Sequence, residues 1–159
     1  MDRPVGEKPQ LRFTRRYPVA CEKVWQAWTE PEALSAWFGP GEPHSVTLAE
    51  MDVRAGGRYR IRFSTPDGEE HEVGGVYETV VPGRELAFSW AWHSTPERVS
   101  RVRVRLQPVP GGTELDFLHE AFFDQAARDN HERGWTATLV KLERWLTSGS
   151  GRAGSGRPG

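Results

Sequence analysis

From residue 11 the chain alternates: Leu11, Phe13 and Arg15 take one parity and Arg12, Thr14 and Arg16 the other, a two-residue period that predicts a first strand stopping at Pro18. The period then lengthens. Ala20, Val24, Ala27 and Trp28 fall at helical spacing and predict a short helix, after which Thr29-Glu30-Pro31-Glu32 sets a threonine three residues before a glutamate, as in a capping box. A second helix is expected to begin there and to carry Leu34, Trp37 and Phe38.

From His44 onward the two-residue period returns, and Gly56-Gly57, Pro66-Asp67-Gly68, Pro82-Gly83 and Pro110-Gly111-Gly112 divide the stretch into strands. Tyr59, Ile61 and Phe63 alternate with Arg58, Arg60 and Arg62; Leu86, Phe88, Trp90 and Trp92 alternate with Ala87, Ser89 and Ala91. Val102, Val104 and Leu106 alternate with Arg101, Arg103 and Arg105, each run describing a strand with one face on a core and one in water. Leu115, Phe117 and His119 continue the inner face in a last strand. Asp124 then caps a long helix striped by Trp135, Leu139, Leu142 and Leu146 and ended by Gly149.

These elements predict an α+β fold: a curved seven-stranded antiparallel sheet in the order β-α-α-β6-α, wrapped on a long C-terminal helix that lies across its concave face. One domain is expected over 10–147, between a polar N-terminus at 1–9 and a Gly/Ser-rich tail at 148–159, both expected to be mobile. The length of 159 residues suits one core. A net charge of −1 supplies no field favouring nucleic acid or an anionic membrane. No apolar run approaches the roughly 20 residues a membrane span needs, and Met1-Asp2-Arg3-Pro4 opens without an apolar signal stretch, so a cytoplasmic location is expected. Cys21 is the only cysteine, which excludes an internal disulfide and a cysteine-based zinc cluster. The excess of arginine over lysine, with abundant Gly, Ala and Pro, is the composition of a GC-rich bacterial genome.

Seven tryptophans in so short a chain change the picture most. Trp90 and Trp92 share a strand face opposite the helix bearing Trp135, an arrangement fit for an aromatic box around a ring-containing or acyl ligand; a filled core would use the same residues. His119, on the face of Leu115 and Phe117, offers a titratable group to an apolar interior or, equally, a histidine bonded to a neighbouring main-chain group. His131-Glu132 opens like a zinc-protease signature, but Trp135 stands where the second ligand belongs, so no metal site is expected. His71 and His93 read as solvated, Cys21 as a small residue near a cap, and the arginine rows as wet outer faces balanced by glutamates. The glycine doublets open no helix and cradle no phosphate, and no nucleophile elbow is present.

Several motifs in one order extend this reading: Val24-Trp25-Gln26-Ala27-Trp28-Thr29-Glu30-Pro31, Trp37-Phe38, Asp52-Val53-Arg54-Ala55-Gly56-Gly57-Arg58-Tyr59, Asp67-Gly68, Gly75, Gly112-Thr113-Glu114-Leu115 and Gly134-Trp135. Together they resemble the helix-grip superfamily known as SRPBCC, which includes START lipid-transfer domains, birch-pollen-allergen-like proteins and polyketide cyclases. The branch they resemble most is the AHSA-like family, named after the activator of the ninety-kilodalton heat-shock chaperone's ATPase. The resemblance implies the fold above and a cavity between sheet and long helix. It does not transmit a reaction.

The expectation is a protein that binds an apolar or aromatic small molecule, without cofactor, metal, nucleic acid or membrane as partner. Trp37, Phe38, Tyr59, Phe63, Phe88, Trp90, Phe117, His119 and Trp135 would form the walls, with His119 as the polar contact. Two other readings stay open: a cyclase- or hydrolase-type enzyme using His119 or His131, and an interaction module that stimulates a chaperone ATPase. A chaperone or a second copy of the chain is the protein partner each surface reading would allow.

Overall fold

A computed structural model describes residues 8–39, 41 and 45–148. The elements run β1 (Leu11–Tyr17), α1 (Cys21–Thr29), α2 (Pro31–Trp37), β2 (Val46–Met51), β3 (Arg58–Ser64), β4 (Glu70–Val81), β5 (Glu85–Trp92), β6 (Ser100–Val109), β7 (Gly112–Glu120) and α3 (Gln125–Thr147). The seven strands form one sheet in the order β1-β7-β6-β5-β4-β3-β2, each neighbouring pair antiparallel. The chain therefore meanders from β2 to β7, and β1 closes on β7 with Leu11 opposite His119 and Phe13 opposite Phe117. This is the expected α+β helix-grip arrangement.

Alternation decides the faces. Tyr59, Ile61 and Phe63 of β3, Val102, Val104 and Leu106 of β6, and Leu115, Phe117 and His119 of β7 are all buried. The intervening arginines meet carboxylates on the outer face: Arg60 with Glu50, Arg62 with Glu72, Arg101 with Glu78, and Arg103 and Arg105 with Glu85. The two arginine rows are separated in the sheet by β4 and β5. Such half-exposed pairs contribute ~0–1 kcal/mol each, so their main effect is to keep that face neutral.

The capping box is not formed. Thr29 stays in α1 and donates its hydroxyl to the Trp25 carbonyl at 2.8 Å, while Glu30 is the cap residue of α2 without a side-chain capping bond, its carboxylate accepting from Gln26 instead. Pro31, with φ preset for the first helical turn, starts α2 instead. At the other helix the expected cap is present: Asp124 accepts from the Ala127 N–H at 2.8 Å. Gly149 and His44 lie outside the described residues. No helix among those residues is long and apolar enough to cross a membrane.

α1 and α2 plug one end of the curved sheet. Trp37, fully buried, donates its indole N–H to the Ala27 carbonyl at 3.1 Å and packs edge-on against Trp28 at 4.8 Å. Trp28 in turn lies 6.1 Å from Trp135, tying both short helices to α3. α3 approaches β1, α1 and α2 closely, so the helix is pinned at that side of the sheet.

At Gly74-Gly75 of β4 the strands β3 and β5 press close on both sides. A Cβ on Gly75 would stand 2.1 Å from the Ser89 carbonyl oxygen, a backbone atom that cannot step aside. The Tyr59 hydroxyl donates to the same carbonyl at 2.6 Å, bridging from β3 over the glycine to β5. Gly75→Ala is expected to destabilise the fold by about 2 kcal/mol or more, read as a fall of several degrees in Tm. An unchanged thermal midpoint would show that the strands can part here without penalty.

Candidate functional site

Away from the pinned side, α3 and the β3–β5 limb of the sheet diverge and enclose a cleft of about 690 Å³ open to solvent. Trp90 and Trp92 reach it from alternate positions of β5, Phe63 from β3, Phe38 from the residue after α2, and Trp135 from α3. The rings meet edge to face or tilted. Trp90 lies 5.3 Å from Trp135 and 5.5 Å from Trp92, and Phe38 stands 5.7 Å from Phe63 and 6.1 Å from both Trp90 and Trp135. Aromatic surfaces at these separations gain about 0.5–1.5 kcal/mol per pair beyond their burial, which stiffens the wall.

The indole N–H groups of this wall do not point at the cleft as free donors. Trp135 donates to His119 Nδ1 at 3.1 Å. An indole only donates, so Nδ1 is the acceptor and the ring proton sits on Nε2, which donates to Ser100 Oγ at 2.7 Å. Ser100 passes the chain on to the Trp90 carbonyl at 3.3 Å. His131 is the mirror case. Its Nδ1 lies 2.7 Å from the Ala127 carbonyl and must carry the proton, leaving Nε2 to accept from Trp90 at 3.3 Å and Trp92 at 3.0 Å.

Both imidazoles are therefore neutral, in opposite tautomers. Burial drives the His119 pKa well below the ordinary histidine value, and the nearby His131 lowers it further. His131, on the cleft wall, is also lowered by burial, against the opposing pull of its bond to Ala127. The two rings stand 5.1 Å apart, so a charge on either would oppose a charge on the other.

The mouth is polar and charge-balanced. Arg62 pairs with Glu72 at 3.0 Å, and Glu70 accepts from Thr47 at 3.2 Å. His71 is packed between Phe63 and Trp92, at 5.7 and 6.2 Å, and touches Thr65 at 3.4 Å. His71 is thus partly solvated, its side chain 37% exposed while its ring also packs on the aromatic wall, and His93 is exposed as expected. Among the described residues no group of three or more His, Cys, Asp or Glu could hold a metal ion.

Four of the nine sequence-predicted wall residues line the cleft: Phe38, Phe63, Trp90 and Trp135. Trp37, Tyr59, Phe88, Phe117 and His119 sit in the packed interior behind it. Phe117 packs at a tilt against Trp135 at 4.6 Å and Phe88 packs edge-on to Tyr59 at 5.3 Å, filling space the sequence left open. Trp92, His71, His131, Gly134 and Thr138 are also in the lining. Trp92 follows from the same alternation as Trp90, and His131 and Thr138 from helical spacing around Trp135, so these signals were present in the pattern. His71 shares the parity of Val73 on β4, a signal hidden by the flanking Glu69, Glu70 and Glu72.

The solved structures similar to this chain share the whole fold. A protein of Chromobacterium violaceum matches with a TM-score of 0.77 at 25% identity, over 88% of this chain and 98% of its own. The AHSA1 protein of Silicibacter pomeroyi matches with a TM-score of 0.75 at 26% identity, over 87% of this chain and 97% of its own. A protein of Rhizobium leguminosarum matches with a TM-score of 0.73 at 28% identity, over 87% and 93%. No curated protein matches the sequence. The family model for the Activator of Hsp90 ATPase homolog 1-like protein matches residues 18–147, which take in α1, α2, the meander β2–β7 and α3, and the chain belongs to that family.

Proposed function

We propose that the protein binds an apolar or aromatic small molecule in the cleft between α3 and the β3–β5 limb. One observation carries this reading: ring faces of Phe38, Phe63, Trp90, Trp92 and Trp135 border about 690 Å³ of open volume while their indole N–H groups are engaged inside the protein. Such a wall offers dispersion and quadrupole contacts and few donors, the chemistry of a flat or hydrocarbon ligand. The volume lies within the usual range for small-molecule sites of roughly 300–1,000 Å³. The ligand walls proposed are thus the four predicted residues on the cleft with Trp92 and His131 added; the other five predicted rings support them from behind.

Acid or base catalysis is supported less well. His119 does not line the cleft, and both nitrogens of each histidine already have partners. Docking on a chaperone through the arginine rows finds no single-sign patch, because each row is paired with glutamates.

The cleft tryptophans report on occupancy. A panel of aromatic and acyl compounds is expected to quench or shift intrinsic fluorescence, and a binder at a hundredfold its Kd adds ~2.7 kcal/mol of stability. Trp92→Ala should weaken that binder about tenfold, measured by titration. A panel that leaves both fluorescence and Tm untouched would remove the reading.

Stability should depend on pH through the same histidines. Both have folded-state pKa values below the roughly 6.5 of an unfolded imidazole, so between those values the unfolded chain binds more protons. The contribution is complete above about pH 6.5 and declines as the pH falls toward the folded-state values. The thermal midpoint is expected to fall from pH 7.5 to pH 5, and less steeply in His131→Gln. Parallel profiles for the two proteins would show that His131 is charged in the fold.

A further inference from the structure

Hydroxyl groups in these helices follow one habit, with one exception. Thr29, Ser35, Thr136 and Thr147 each donate to the carbonyl four residues back, at 2.8, 2.7, 2.7 and 2.9 Å. That bond is the default for a helical hydroxyl, which otherwise faces water. Thr138 does not make it. It is 3% exposed, lines the cleft from α3, and its hydroxyl has no hydrogen-bond partner among the described residues. Such a hydroxyl, bonded to no protein group and facing a cleft open to solvent, is left for water or a ligand to satisfy.

One turn before it stands Gly134, in the interior of α3 and also on the cleft. A helix-interior glycine costs about 1 kcal/mol against alanine. Close packing does not require it, since a Cβ built there meets nothing within 4 Å. The missing side chain leaves that part of the α3 wall of the cleft open, one turn from Thr138.

Resting on the cleft as an aromatic site, we propose that the Gly134–Thr138 strip selects the ligand: a neutral, planar aromatic molecule that lies over Gly134 and places a hydroxyl or carbonyl oxygen on Thr138 Oγ1. Neutrality follows from the mouth. Arg62 is already paired with Glu72, Arg60 reaches the same carboxylate at 3.8 Å, and no unpaired cation of the lining is left for an anionic group. The indole donors are equally occupied, and the side-chain oxygen of Asn130, one turn before Gly134, is taken by Arg133, so Thr138 offers the cleft a hydroxyl that no protein group holds.

The test uses two probes of one shape, 2-naphthol and 2-methylnaphthalene, titrated by tryptophan fluorescence into the full chain, Thr138→Val and Gly134→Leu. The wild type should bind 2-naphthol about fivefold more tightly, the size of one neutral hydrogen bond. Thr138→Val, which keeps the shape, should erase that preference and leave 2-methylnaphthalene unchanged. Gly134→Leu should abolish binding of both while thermal unfolding shows an intact fold, and Gly134→Ala should raise Tm. A preference retained by Thr138→Val overturns this inference and leaves the aromatic site standing. Failure of every aromatic probe with the wild type removes the site and this inference with it.

Discussion

Hydrogen bonds from indole to imidazole fix α3 on the sheet, and the cleft depends on that placement. They run both ways across the interface: Trp135 of the helix donates to His119 of β7, and Trp90 and Trp92 of β5 donate to His131 of the helix. Dispersion between apolar faces is non-directional and tolerates a helix sliding along a sheet. Directional bonds do not, since a buried donor left unmade costs about 1–3 kcal/mol. With the helix locked at both histidines, the gap beyond them is held open without a ligand to prop it.

The interior divides into two regions with different work to do. Behind the network Trp28, Trp37, Phe117 and the neighbouring aliphatic residues are packed against one another, and Trp37 and Phe117 are wholly buried. That region supplies stability. In front of it the rings pack on one side and border open volume on the other, so their contacts are incomplete until something else completes them. The outer face adds little to either, since its arginines and glutamates neutralise one another in water.

Most of the fold was legible because alternation and helical spacing are properties of the chain alone. Tyr59, Ile61 and Phe63 against Arg58, Arg60 and Arg62 give strand, face and neighbours at once, and Asp124 marks its helix start by a real cap. Thr29 misled because a capping motif written into a helix end can be taken by the preceding helix, whose i−4 carbonyl is nearer. The site was half legible. Inward parity separates core from surface but not packed core from cleft wall, so Phe88 and Trp90, two residues apart on one face, looked alike. What separates them is the position of α3, and that rests on bonds between residues about 40 positions apart.

Histidine suits these acceptor positions better than the alternatives. A carboxylate accepting from indoles would bury a charge, and an amide side chain would bring two donors needing partners of their own. A neutral imidazole brings one acceptor and one donor, and its flat ring stacks. Phe122 uses that property: it lies 4.2 Å from His119 and 4.9 Å from His131, covering both from the side away from the cleft. The chain reaches this position through Ala121, whose φ of 66° is left-handed and costs about 1–2 kcal/mol without glycine. Burying Phe122 to 1% exposure recovers about that amount, so the strain is offset locally and the turn stays compatible with a stable fold. A glycine there would relax the backbone yet loosen the ring that seals the two histidines from water, and their neutrality depends on that seal.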